Sequence, residues 1–208
     1  MSSSFGYFFG TIFAPRRAFR RLMDDARPLG WGFWTVAVTG ILCSLTAIAL
    51  AAAGAVPMAP IFLPLRTENY YFWQALFTLP VLLTSWIMTS TAVHILGRGR
   101  KRGGSLKRTL ALYGFAQAAP ILLVWVVQTV IAAFYGMGMG QQEMVDILSE
   151  PSTPQIIFLA VFGVALAWSF LLACLAASVS QKVKWAYALV LGILAEVLFV
   201  GPVVFLLR

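Results

Sequence analysis

The sequence predicts an all-α integral membrane bundle of five transmembrane helices, led by an N-terminal amphipathic interfacial segment. Three observations predict it. Of the 208 residues, 61% are hydrophobic and only 11% charged, against about a quarter charged in a soluble domain. The mean hydropathy of +0.87 comes from five apolar stretches, each longer than the ~20 residues a helix needs to cross hydrocarbon. Of the 15 Lys and Arg, all but Arg66 and Arg208 fall in the N-terminal arm, the second-to-third loop and the fourth-to-fifth turn. These segments lie on one side of the membrane, so the positive-inside bias puts the N-terminus in the cytoplasm and the C-terminus outside.

Residues 1–29 read as a cytoplasmic arm. Phe5, Phe8, Phe9, Ile12 and Phe13 recur at the spacing of one helix face. Pro15 ends that helix and can open a second at its first position. In the second helix Phe19, Leu22 and Met23 share a side, with Arg16, Arg17, Arg20 and Arg21 around the rest. An aromatic face opposite an arginine face suits the headgroup boundary; it suits equally an arm packed on the cytoplasmic ends of the spans.

Residues 30–208 form the membrane domain, with spans at about 30–53, 70–96, 107–135, 154–180 and 183–207. Trp31 and Trp34 open the first, and Tyr70, Tyr71 and Trp73 the second; Trp185 and Tyr187 stand near the start of the fifth. Such aromatics mark membrane–water interfaces. The third span is long enough to tilt, or to kink at Pro120.

Several function classes drop out. The net charge of +8 would suit nucleic acid, but the charges sit in short loops beside apolar runs, and no folded polar domain remains to carry such a site. Cys43 and Cys174 lie inside spans and read as small buried hydrophobes rather than a disulfide or metal ligands. The N-terminus runs apolar and then positive, the reverse of a cleavable signal peptide. One histidine, no Gly-x-Ser-x-Gly and no Asp within the spans exclude a hydrolytic triad. We therefore expect no enzymatic activity, no cofactor and no metal. An odd span count without internal repeat argues against two equal inverted halves.

The residues that carry chemistry are few. Glu196 is the one acid well inside a span, about 20 Å in at 1.5 Å per residue. A carboxyl there costs a few kcal/mol unless paired or neutral. It shares a stripe with Ala188 and Gly192, small residues that let another helix approach, so it should face the bundle. It is either a titrating or ligand-binding group or a buried hydrogen bond between helices. Gln117, at similar depth on the third span, is its expected partner. Pro80, Pro120 and Pro202 each free a backbone carbonyl, which permits a polar internal cavity but is also common in plain bundles.

His94, near the cytoplasmic end of the second span, reads as a hydrogen-bonded structural residue. The loop bearing Arg98, Arg100, Lys101 and Arg102, with Lys107 and Arg108 beyond it and Arg16, Arg17, Arg20 and Arg21 in the arm, can attract acidic lipid at roughly 1 kcal/mol per basic residue. The same charges also fix topology.

The run His94-Ile95-Leu96-Gly97, the basic glycine loop, Gly103-Gly104-Ser105-Leu106-Lys107-Arg108-Thr109-Leu110, Tyr113-Gly114-Phe115-Ala116 and Pro120 resembles the Ypt-interacting-protein (YIP) domain family. Ala14-Pro15-Arg16-Arg17-Ala18-Phe19 is similar to the lead-in of bacterial members, and the resemblance covers about residues 8–205. It implies five spans with a cytoplasmic N-terminus. Eukaryotic relatives bind prenylated small GTPases, act in vesicle traffic and usually carry a long cytoplasmic N-terminal region. The short arm and arginine-rich loops here look bacterial, so the resemblance implies a bacterial inner-membrane location and no trafficking role. It offers no counterpart to Glu196.

The leading expectation is a non-enzymatic module that interacts with membrane lipids, acidic ones above all, or with a protein partner or a second copy of itself. One rival is a transporter or channel that uses Glu196 for a proton or cation. Another is a structural subunit seated through Gly163-x-x-x-Ala167 or Ala173-x-x-x-Ala177 on the fourth span.

Overall fold

The computed structural model describes residues 4–57, 66–98, 104–149 and 152–207. Among them the chain is helical, without strands: α1 (Ser4–Phe13), α2 (Pro15–Met23), α3 (Pro28–Ala52), a short 3-10 turn at Thr67–Asn69, α4 (Tyr70–Arg98), α5 (Leu106–Gly136), α6 (Gln141–Ser149), α7 (Thr153–Gln181) and α8 (Trp185–Leu207). Five of these, α3, α4, α5, α7 and α8, are long and apolar enough to cross a membrane. Their bounds fall within about two residues of the sequence expectation. α4, α5 and α8 run through Pro80, Pro120 and Pro202 as continuous helices.

α5 is the central helix, packed against α3, α4 and α7 within the bundle and against α1 and α2 at its start. From Ala111 to Pro120 every residue of α5 is buried, the mark of a helix enclosed on all sides. Small residues set the closest crossings. An added Cβ on Gly114 would stand 2.7 Å from the Gly32 carbonyl oxygen, and one on Gly32 would stand 2.7 Å from Ala111 Cα. Without a hydrophobic drive between helices in lipid, such backbone contact supplies the packing energy. Indole hydrogen bonds add to it: Trp86 Nε1 donates to the Leu110 carbonyl at 2.8 Å, and Trp125 Nε1 to Thr46 Oγ1 at 2.8 Å.

Val38, Ile41, Leu45, Ile156, Leu166 and Val190 stand exposed on the outer faces of α3, α7 and α8. On α7 the pair Ala173 and Ala177 is buried in the bundle's own core, whereas Gly163 and Ala167 are exposed.

The arm divides into two parts. α2 buries Ala18, Phe19, Leu22 and Met23 against α5 and α7, so its apolar face is spent on protein. α1 turns Tyr7 and Thr11 inward and leaves Phe5, Phe9 and Phe13 exposed. The Tyr7 hydroxyl donates to Asp25 Oδ2 at 2.7 Å and its ring meets Phe115 edge-on, which ties α1 to the link between α2 and α3 and to the core.

The expected outer loop between the third and fourth spans contains α6, which the sequence reading did not foresee. Gln141 at its start accepts from the Val56 amide at 3.1 Å and from the Tyr135 hydroxyl at 2.6 Å, and donates to the Val56 carbonyl at 3.1 Å. A small second core of Leu50, Ala55, Ala132, Tyr135 and Met144 lies beneath it.

Candidate functional site

At the end of the bundle that carries α2, a cavity of about 560 Å³ opens among α2, the start of α5 and the end of α7. It is lined by Arg16, Arg20, Met23, Asp24, Gly104, Ser105, Arg108, Ser178, Val179 and Lys182. Each wall follows from local sequence. The fixed φ of Pro15 pre-sets the first turn of α2, and Phe19 and Leu22 pin one face of the helix to the core. Arg16 and Arg20, four residues apart, then share a neighbouring face.

Ser105 is the N-cap of α5 in an extended backbone and makes no side-chain cap bond, so its hydroxyl is free to line the cavity beside a helix N-terminus, which favours anions. Lys182 ends α7 in the left-handed region, at φ 52°. The Gly104 amide donates to the Ser180 carbonyl at 2.8 Å, which clamps the start of α5 to the end of α7. A Cβ on Gly104 would stand 2.5 Å from that carbonyl oxygen, so the position needs glycine.

Among the described residues four cations thus face one space, with Asp24 as the one acid in its lining. Among the described residues, the side chains of Arg16, Arg20, Arg108 and Lys182 make no ion pair or hydrogen bond with protein. All four are solvent-exposed, so the cavity is open to an incoming anion.

The residues expected from sequence to meet acidic lipid are distributed unevenly. Arg16, Arg20 and Arg108 converge on the cavity. Arg17 and Arg21 on α2, and Lys107 on α5, lie outside its lining. Arg98 ends α4. Arg100, Lys101, Arg102 and Gly103 lie outside the described residues. Sequence reasoning missed Lys182 and Asp24; Lys182 enters it only as one of the charges of the fourth-to-fifth turn.

Most of the described residues that carry the resemblance lie around the same end, while Pro120 stands about 20 Å along α5. His94 is buried on α4 and Pro120 is buried in α5. An added Cβ on Gly97 would meet the Gln181 side chain; Gln181 Nε2 in turn donates to Thr109 Oγ1 at 2.8 Å. The Tyr187 hydroxyl donates to the Leu96 carbonyl at 3.2 Å. Together with the Gly104–Ser180 bond these contacts join the ends of α4, α5, α7 and α8. The family model for the Yip1 domain matches residues 9–207, nearly the whole chain. The chain belongs to the Yip1 domain family. Searches of curated proteins and of solved structures each found no match. The Yip1 family is in general one of non-catalytic membrane proteins.

The Yip1 domain match takes in α2 and the glycine junction, so the cavity walls are part of the matched region. A second polar site lies deeper in this Yip1 domain. Ser169 Oγ on α7 donates to Glu196 Oε1 on α8 at 2.8 Å. Among the described residues Glu196 Oε2 is buried without a hydrogen-bond partner. An added Cβ on Gly192 would overlap Cys174 Sγ, so the expected small-residue stripe does bring α8 onto another helix, namely α7. The expected pairing with Gln117 is corrected: the partner of Glu196 is Ser169, and among the described residues Gln117 is buried on α5 with Oε1 unpartnered, while α8 packs mainly on α7 and α4. Depth along a span follows from counting residues, but the neighbour a side chain meets depends on helix rotation. The Tyr113 hydroxyl, one turn before Gln117, donates to the Ala173 carbonyl at 3.0 Å. No group of three or more His, Cys, Asp or Glu stands together among the described residues.

Proposed function

We propose that this Yip1-domain protein is a non-enzymatic module of a bacterial inner membrane that holds acidic lipid at its cytoplasmic face. The observation that carries the reading is the convergence of Arg16, Arg20, Arg108 and Lys182, from three separate chain segments, on one open cavity, without protein partners among the described residues. Cations not needed to neutralise acids of the fold are available to a ligand. A polybasic surface beside a span meets the anionic headgroups of the inner leaflet at roughly 1 kcal/mol per basic residue. The exposed Phe5, Phe9 and Phe13 of α1 suit the headgroup boundary next to it, and the concentration of Lys and Arg at this end supports a cytoplasmic N-terminus.

The test is lipid retention by the whole chain in phosphatidylcholine nanodiscs doped with phosphatidylglycerol, released into native mass spectrometry. Wild type should keep phosphatidylglycerol above its share of the bilayer. Replacing Arg98, Arg100, Lys101 and Arg102 by Gln, and separately Arg16 and Arg20 by Gln, should reduce that enrichment, and added salt should do the same. Enrichment indifferent to both sets, with the protein still folded, would end the reading.

A further inference from the structure

We infer that the cavity between α2, α5 and the α7–α8 turn is a site for a phosphomonoester group, a narrower ligand than acidic lipid at large. The inference rests on the reading above and sharpens it. Among the described residues, Arg16, Arg20, Arg108 and Lys182 against Asp24 leave three positive charges in excess within one lining, and the N-terminus of α5 adds roughly half a charge more. A phosphodiester carries a single negative charge and two free oxygens. A phosphomonoester carries about −1.5 to −2 at neutral pH and three acceptor oxygens.

The donor set fits the second group. Two guanidinium forks stand on α2 and one on α5, each suited to paired bonds with phosphate oxygens. Lys182 adds a compact point charge, and the Ser105 hydroxyl, which caps nothing, adds a neutral donor.

The volume of about 560 Å³ exceeds what a bare phosphate fills and lies in the range of organic-ligand pockets, so the phosphate has room for the glycerol or sugar it is esterified to. The cavity joins the arm to the bundle: its cations come from residue 16 to residue 182, and an anion seated there bridges α2 to α5 and α7. The monoester can belong to a membrane lipid of the phosphatidic-acid type or to a soluble glycerol phosphate; the chemistry of capture is the same.

The experiment uses the full chain in phosphatidylcholine nanodiscs doped with either phosphatidic acid or phosphatidylglycerol, with lipid retention read by native mass spectrometry. Calorimetric titration of glycerol 3-phosphate into undoped nanodiscs runs beside it. Phosphatidic acid should be kept roughly tenfold or more over phosphatidylglycerol, the margin of one or more charge-assisted hydrogen bonds. Arg16→Gln, Arg20→Gln and Arg108→Gln should each remove the preference, whereas Arg17→Gln and Arg21→Gln, with the same charge change on the same arm, should keep it. Arg108→Lys should restore part of what Arg108→Gln loses.

Binding of glycerol 3-phosphate with this variant pattern, and no preference between the two lipids, would support the same site with a soluble source. Equal retention of both acidic lipids and no binding of glycerol 3-phosphate would overturn the inference while the acidic-lipid reading stood. Equal losses in Arg17→Gln and Arg108→Gln would also overturn it, because charge in general and not the cavity would then be the cause. Enrichment of neither lipid, with no glycerol 3-phosphate bound, would end both readings.

Discussion

At one end of the bundle, Gln141 closes the structure with neutral hydrogen bonds to Val56 and Tyr135 above a small apolar core. At the other, the Gly104–Ser180 and Gln181–Thr109 bonds close it in the same way, and four cations are then added around an open cavity. Each end has enough neutral bonding to join its helices. Among the described residues, the Gln141 end carries Arg66 with Glu68, Glu143 and Asp146, whereas the cations of the other end converge on one lining, and like charges facing one another repel. The difference teaches that the cations are not explained by holding the fold together, which supports the anion site proposed for them.

Three substitutions test whether the two ends divide in this way. The largest effect belongs to Gly104→Val. Its Cβ would stand 2.5 Å from the Ser180 carbonyl oxygen, a backbone atom that cannot swing aside, and overpacking of this kind costs about 3 kcal/mol. Thermal unfolding in mild detergent should show the loss, and lipid retention should fall with it because the cavity floor is built on that junction. Gln141→Ala comes next. It removes three hydrogen bonds at the opposite end and should cost about 2 kcal/mol while leaving acidic-lipid retention at the wild-type level; a fall in retention would mean that the ends are coupled. The smallest effect on stability is expected of Arg108→Gln, an exposed side chain with no protein partner among the described residues. Unfolding should move by no more than about 0.5 kcal/mol, yet retention should drop. A large loss of stability there would show that the arginine holds the fold, and would break the comparison.

Much of the architecture was legible before any contact was known. The third span, expected at 107–135, is Leu106–Gly136, because a helix must stay apolar for the thickness of the hydrocarbon and its polar ends show where it leaves. The arm was half legible. Phe19, Leu22 and Met23 announce an apolar face, but lipid and protein satisfy such a face equally; the packing of α2 on α5 and α7 decided for protein. α6 was missed because nine residues make too weak a periodic signal within an outer loop. Glu196 was rightly turned from lipid, since Gly192 marks a close approach, but its donor proved to be Ser169 and not Gln117. Spacing gives depth and leaves the facing helix open.

By itself, then, the sequence determined the membrane class, the five spans and the concentration of positive charge in three segments. These are local properties: each is set by about 20 consecutive residues and the solvent they must face. The tertiary structure decided which charges meet. Arg16, Arg20, Arg108 and Lys182 are remote along the chain, and they share a cavity only because α2 docks on the bundle and Gly104 brings α5 against the end of α7. Of the ten arginines and lysines singled out from sequence, Arg16, Arg20 and Arg108 line it, since the side a helix turns to its neighbours is fixed by packing between segments and not by the composition of either one.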